Sequence, residues 1–524
     1  MKSIYCKYFV ELYRVTSGIS SLKIELTLLT IIVASFLFII NSSWKASPDS
    51  ALYLELGESI AQGTGYKFNG EQHTYVPPGY PLLVALSVKV CGSGFFGFRV
   101  MMALVGVATG IVGYLLLFSL LGRDIALLIG GLFALNNTLL VNSTYTTSDT
   151  LFALVSLLSL LAVSSLHEGP LELKWLLFVG VITGVPALVR INGWGLSVSS
   201  GLFVFSSLEK TAPIKRVSYS LLFIVLAFIA PMIWEIHKLG YPLSQNEGEY
   251  FRAVTGRTLE TQLSIIAKSA WDYIPETATA LAGISIKTGF IEIIVALLVL
   301  VGFRISWKRG ERLFSYLTVV QFGGLFLSPA GSRYVILLIP GLLLFLFQGV
   351  AITSLWLERR IPEKWRATFG LRRVLLALTI CLFVTNMGQN LVTISEARFA
   401  LEPGGAESIR DKPFFVAARW LRHNAKGQAV LTMNPRIIRY LTGLPTVEIL
   451  RSGSPEETVL PKTHDEIIGL IEKKKPGFVF LDSKDDRLKK LIIESADSKD
   501  LKVDVVPEAS FGNRYSLARL LPLR

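Results

Sequence analysis

Charge is what this chain has least of. Only 17% of its 524 residues are Asp, Glu, Lys or Arg against 51% hydrophobic ones, and its mean hydropathy is +0.52. Those proportions exclude an ordinary soluble globule, whose charged fraction is near a quarter. Cysteine is scarce too. Cys6, Cys91 and Cys381 lie far apart, each in or beside an apolar stretch, which excludes a disulfide framework and a cysteine metal cluster. No small-residue cleavage site follows the first apolar run, Leu26 to Trp44, so the run reads as a retained helix rather than a removed signal. No internal repeat or low-complexity tract stands out.

What the chain does have is apolar runs of membrane-crossing length. Crossing the hydrocarbon core takes about 17 to 25 apolar residues, and candidates fall near 25–44, 99–121, 125–146, 149–166, 175–189, 191–208, 217–235, 288–303, 313–329, 334–355 and 374–392. The expected fold is a multi-spanning α-helical membrane protein with about 11 to 13 transmembrane helices. The segment Pro77 to Cys91 is too short and too broken by Pro and Gly to span, and reads as a re-entrant or interfacial helix. The net charge of +13 reports topology rather than a nucleic-acid partner, because the cations sit in the short loops of one side. With the N-terminus inside, inner loops carry Lys2, Lys7, Arg14 and Lys23, then Arg123, Lys174, Lys210, Lys215 and Arg216. Arg304, Lys308, Arg309 and Arg312 follow, and then a cluster from Arg359 to Arg373 that includes Lys364 and Arg366. The short outer turns hold only Arg190 and Arg333, as the positive-inside rule requires.

That topology leaves three larger segments outside: a first loop, 45–98, a second, 236–287, and a C-terminal region, 393–524. Residues 1–392 form the membrane part. The composition changes sharply near 393, and the last region reads as a small α/β domain. Strands are expected at Ala429 to Met433, Pro476 to Asp482 and Leu501 to Val506, with helices at Pro413 to His423 and His464 to Lys474.

Polar groups beside a membrane are expensive, and the outer side gathers several. Asp49 follows the first span, in Ser47-Pro48-Asp49-Ser50. Asp149 opens the fourth, after Thr146-Thr147-Ser148. Arg190 lies in a turn between helix ends, and Arg333 follows Ser328-Pro329-Ala330-Gly331-Ser332. Two carboxylates and two guanidiniums suit displacement of a phosphate leaving group by a hydroxyl. A carboxylate takes the hydroxyl proton, while arginine, always charged and forked, stabilises the departing phosphate. The same groups could instead pair to hold helices together. Tyr53, Tyr66, Tyr75 and Tyr80 could stack on sugar faces or serve as interfacial anchors. His73 could touch phosphate, a sugar hydroxyl or a metal, or be an ordinary loop histidine, and no second His lies near it. Trp271-Asp272-Tyr273 is flanked by Ala270 and Ile274, which breaks the Trp-Trp-Asp pattern of oligosaccharyltransferases.

Pro48-Asp49 followed by Leu52-Tyr53, Glu58, Ile60-Ala61 and Gly63, then Pro77-Pro78-Gly79-Tyr80-Pro81-Leu82, resembles the first outer loop of GT-C class glycosyltransferases. The pattern is similar to the protein O-mannosyltransferases and the lipid A aminoarabinose transferases of families 39 and 83. Ser148-Asp149 opening a helix, Arg190 with Gly193, and Arg333-Tyr334 with Pro340 match later landmarks, so the resemblance covers roughly residues 20 to 395. It implies a sugar donor on polyprenyl phosphate and inverting transfer on the periplasmic or extracellular side of the inner (plasma) membrane. The acceptor would be a lipid, glycan or protein. On this chain it makes Asp49 the general base and Asp149 the second acid, with Arg333 and Arg190 on the donor phosphate. Tyr53, His73, Tyr80 and Tyr334 become substrate-binding candidates. No metal ligand is assigned and no cofactor is demanded, although a divalent metal ion stays open. Two positions depart from the families. Val76 stands where the aminoarabinose transferases carry Lys before their Pro-Pro, and Ser50 where the mannosyltransferases carry a second acid. A flippase for a lipid-linked sugar, or a non-catalytic subunit of the same fold, is the alternative.

Overall fold

In a bilayer every backbone N–H and C=O must be satisfied within its own segment, so apolar runs become helices. The computed structural model describes residues 21–166, 172–209, 212–241, 258–285, 288–327, 330–360, 371–399, 412–449, 463–482, 486–506 and 515–522. Lys2, Cys6, Lys7, Arg14, Lys210, Lys364, Arg366, Ser328 and Pro329 of the reading above lie outside them.

The chain begins with α1 (Ser21–Phe38), then α2 (Pro48–Ala61), a hairpin of β1 (Lys67–Phe68) and β2 (Glu71–Gln72), and α3 (Gly79–Cys91). Next come α4 (Phe95–Leu121), α5 (Arg123–Ala134) with a π-helical turn at Ala126–Gly130, α6 (Asn137–Ser143) and α7 (Asp149–Ser165). Helix α8 (Leu173–Gly184) runs into a 3-10 turn at Val185–Leu188, followed by α9 (Gly193–Ser207), α10 (Pro213–Lys238) and α11 (Leu259–Ala282). Helices α12 (Phe290–Arg309) and α13 (Arg312–Leu325) lead to a 3-10 turn at Ser332–Leu338, which continues as α14 (Ile339–Glu358) before α15 (Leu371–Phe399).

Among the described residues, Phe95–Leu121, Pro213–Lys238, Phe290–Arg309, Ser332–Glu358 and Arg373–Arg398 are long and apolar enough to cross a membrane unbroken. Arg123–Ala134 and Asn137–Ser143, bent by 45°, pass the test together. Several other expected spans are shorter helices. Three of them, α7, α8 and α9, start or stop beside Asp149 or Arg190, where the chain leaves regular helix to build a polar site.

The bend after Ala134 frees backbone groups inside the bundle, and asparagines take them up. Asn390 Nδ2 donates to the Leu135 carbonyl (2.9 Å), and the Asn137 backbone N–H donates to Asn386 Oδ1 (2.8 Å). Asn137 Nδ2 reaches Asn390 Oδ1 and Thr393 Oγ1, and Asn136 Nδ2 donates to the Ala280 carbonyl at the end of α11. Helix α11, inside the segment expected as an outer loop, therefore docks its C-terminal end against the bend. Its Tyr273 is buried against Phe322 and Phe326 while Trp271 is exposed.

The C-terminal region carries α16 (Lys412–Asn424), β3 (Val430–Thr432), α17 (Pro435–Thr442), β4 (Thr446–Glu448) and α18 (His464–Lys474). It closes with β5 (Phe478–Asp482), α19 (Asp486–Asp497), β6 (Leu501–Val505) and β7 (Tyr515–Pro522). The sheet order is β4-β3-β5-β7-β6, parallel through β4, β3 and β5 and antiparallel through β7 and β6. Strands β4 and β7 were not expected from the sequence. At three residues β4 is too short to show an alternation, and β7 contains Arg519 and ends on Pro522.

Candidate active site

The first loop places its acid by local chemistry. Ser47 caps α2: its hydroxyl accepts from the Ser50 N–H (3.1 Å), and Ser50 Oγ accepts from the Ser47 N–H (2.8 Å), a capping box with Pro48 at the first helical position. Asp49 therefore sits in the first turn, where the helix dipole favours a carboxylate. Its side chain is 52% exposed. Ser50, at the position of a second acid, is instead fully buried, its Oγ also accepting from Trp44 Nε1 (3.0 Å).

One turn along α2, Tyr53 faces into the bundle. Its hydroxyl shares a hydrogen bond with Ser148 Oγ (3.2 Å), and its ring meets Tyr80 edge-on at 4.8 Å. Burial pushes the Tyr53 hydroxyl up to about 12, with nearby Arg190 opposing the shift, so it stays protonated near neutral pH. Ser148 also accepts from Arg190 Nη1 (3.4 Å), and the same Nη1 pairs with Asp149 Oδ1. The Asp149 side chain is 2% exposed, and its second oxygen is buried with no hydrogen-bond partner among the described residues. The hydroxyls of Thr147 and Thr150 share that condition. These buried atoms keep their capacity to hydrogen-bond a further partner at the site.

Arg190 is delivered by a turn that needs one glycine after it and another packed against it. A Cβ on Gly193 would stand 2.2 Å from the Ala187 nitrogen, and one on Gly79 would stand 2.7 Å from the Leu188 carbonyl oxygen. The Pro-Pro-Gly motif therefore packs directly on the backbone at Leu188, just before Arg190. The opposite wall is the 3-10 turn at Ser332–Leu338. There Arg333 Nη2 donates to the Tyr334 hydroxyl (2.6 Å), and the Tyr334 ring lies 4.8 Å from the Arg333 guanidinium and 5.1 Å from that of Arg190. Arg333 has no carboxylate partner among the described residues. Two cations against one buried carboxylate leave positive charge on this wall, which fits an anionic group.

Asp49, Tyr53, Asp149, Arg190, Arg333 and Tyr334 therefore gather at one end of the bundle, with Tyr80 buried behind Tyr53 and its hydroxyl on Met102 sulfur (3.6 Å). His73 is placed differently. It is buried beside Tyr66 and Phe68, and its Nε2 accepts from the Val76 N–H (3.2 Å), which ties it to the hairpin loop. Among the described residues no group of three or more His, Cys, Asp or Glu comes together as a metal site. The sequence reading missed one role and one residue. Ser148, read there only as a landmark before Asp149, links Tyr53 to Arg190. Arg436, on α17, stands 3.5 Å from Asp49, and nothing local in the sequence announces it.

Residues 75–234 match the family model described as dolichyl-phosphate-mannose-protein mannosyltransferase. The crystal structure of ArnT from Cupriavidus metallidurans bound to undecaprenyl phosphate is similar with a TM-score of 0.58 at 14% identity, over 94% of this chain and 97% of that one. AglB, the Archaeoglobus fulgidus oligosaccharyltransferase, in complex with an inhibitory peptide and a dolichol-phosphate, is similar with a TM-score of 0.55 at 12% identity, over 93% and 74%. A search of curated protein sequences finds no match. The molecule is a multi-spanning helical membrane protein with the GT-C fold and a small C-terminal sheet region. The fold is shared with both of those structures, and the mannosyltransferase family model matches residues 75–234 of this chain.

Proposed function

We propose that the protein is an integral membrane glycosyltransferase. It moves one sugar from a polyprenyl-phosphate donor to an acceptor hydroxyl or phosphate on the non-cytoplasmic face of the plasma membrane, with inversion. Residues 1–392 form the membrane-embedded catalytic part, and 393–524 an extracytoplasmic α/β domain. The observation that carries the reading is the meeting of half-exposed Asp49 with the Asp149, Arg190 and Arg333 cluster across Tyr53 and Ser148. The inside-positive loops support the orientation. The match of residues 75–234 and the ArnT fold, seen there with undecaprenyl phosphate, support the donor class.

Asp49 takes the proton of the acceptor hydroxyl as its oxygen attacks the anomeric carbon. The bond from that carbon to the phosphate oxygen breaks, and polyprenyl phosphate leaves with the electron pair. Arg333 and Arg190 stabilise the charge that accumulates there, while Asp149 and Ser148 hold Arg190 in place. Tyr53 and Tyr334 line the space between the two groups.

The test compares surface glycans and lipids by mass spectrometry in cells with and without the gene, and in cells carrying Asp49→Asn at equal membrane level. A sugar residue of defined mass that appears with wild type and falls by roughly 10²- to 10⁴-fold with Asp49→Asn is the expected result. Movement of a lipid-linked sugar across reconstituted vesicles with no glycosidic bond formed would make the protein a flippase instead.

A further inference from the structure

Arg436 belongs to α17, almost four hundred residues along the chain from the first loop, yet its Nη1 stands 3.5 Å from Asp49 Oδ1. The contact does not stand alone. Arg439 Nε lies 3.7 Å from Glu55 Oε1, and the Tyr440 hydroxyl donates to Glu58 Oε1 at 2.9 Å. Positions 436, 439 and 440 share one face of a helix, so α17 turns a row of donors toward the acids of α2. Beneath them lies Trp44, fully buried. Its ring packs edge-on with Tyr440 (5.2 Å) and Phe415 (6.0 Å) from the C-terminal region, and stacks on Phe95 (5.6 Å) from α4. Trp44 Nε1 also donates to Ser50, the neighbour of Asp49. The C-terminal region, the membrane bundle and the helix carrying the acid are therefore joined at one aromatic cluster.

We infer that Arg436 is a positioning residue for Asp49, so that the C-terminal region completes the active site rather than merely covering it. This rests on the reading of Asp49 as the base. An exposed ion pair is usually worth little, because two long side chains must be ordered to make it. Here the ordering is already in place: Arg436 arrives on a helix fixed by buried rings, and Asp49 on a helix fixed by its capping box. The side chain of Arg436 is only 23% exposed. Its attraction restrains the Asp49 carboxylate, which otherwise could turn about its first side-chain torsion into solvent. No hydrogen bond joins the pair among the described residues. Both carboxylate oxygens therefore keep their capacity to accept a hydroxyl, as a base must at about 2.6–3.2 Å. Arg436 acts by charge and direction without occupying the base.

The test uses the full chain in cells lacking their own copy, at matched membrane levels, with the transferred residue counted by mass spectrometry and thermal midpoints measured in detergent. The variants are Arg436→Met, which keeps the apolar stem and loses the charge, Arg436→Lys, which keeps the charge, and Asp49→Asn. Arg436→Met is expected to lower transfer by roughly tenfold to hundredfold, the range that misplacement of a reacting group brings. Arg436→Lys should retain transfer to within a few-fold of wild type, and both should melt with the wild type. If Arg436→Met fails to accumulate, Arg436→Gln takes its place. Transfer by the uncharged variant at or above the wild-type level overturns the inference alone, and a rise would mark an inhibitory clamp. Full activity of Asp49→Asn removes Asp49 from the base role and the inference with it, while no product from wild type overturns the transferase reading itself.

Discussion

Asp149 and Tyr53 show how single residues divide the work at this site. Asp149 is the more buried of the two acids, with one oxygen committed to Arg190, and it supports a cation more readily than it takes a proton from an entering acceptor. Asp149→Asn is expected to destabilise the protein by about 3 kcal/mol, because Arg190 is left without its countercharge. A thermal midpoint in detergent that does not fall would place the pair among the exposed ones. The Tyr53 hydroxyl, raised to about 12 by burial, is protonated throughout the range in which a membrane enzyme works. Tyr53→Phe should therefore lower transfer by less than tenfold, the loss of one neutral hydrogen bond, and leave the shape of the pH–rate curve unchanged. A displaced pH profile in that variant would show that the phenol takes part in proton transfer.

At the scale of elements, what could be read from sequence was whatever depends on near neighbours. The apolar runs, the α3 segment too short to span, the capping residues before Asp49 and Asp149, and the glycines beside Arg190 all carry local signals. The resemblance put the four charged residues in one site. The bend at Leu135 carried no such signal, because 125–146 is apolar enough for one span and its partners, Asn386 and Asn390, lie some 250 residues away. Hydropathy averages over a window and does not register which asparagine caps which carbonyl. Asn390→Leu removes a donor from the Leu135 carbonyl and an acceptor from Asn137 Nδ2, leaving both buried. It should cost about 1–3 kcal/mol. It should also lower transfer, because α6 leads directly to Ser148 and Asp149. A midpoint and a rate both at the wild-type level would mean that water replaces the asparagine.

At the scale of the whole molecule, the contact between α2 and α17 joins two regions that the sequence shows as separate. Burial raises the Glu55 carboxyl above the ordinary range despite the Asn69 N–H and Arg439. Burial likewise raises Glu58, against the lowering effect of the Tyr440 hydroxyl. A carboxyl whose folded value lies above its unfolded one binds its proton more tightly in the docked state. Its contribution to docking is fully present below the ordinary Glu value, about 4.3, and is lost as pH rises through the raised one. The contact formed by these two acids is therefore tightest in mild acid and loosens toward neutral pH. Glu58→Gln keeps an oxygen to accept from Tyr440 and removes the buried charge. Its thermal midpoint in detergent should exceed that of wild type at neutral pH, converge with it near pH 4.5, and vary less with pH between. A wild-type midpoint that rises from pH 4.5 to 7 as steeply as that of Glu58→Gln would mean that Glu58 is solvated in the folded protein, and that α17 rests on α2 through Trp44 and its rings alone.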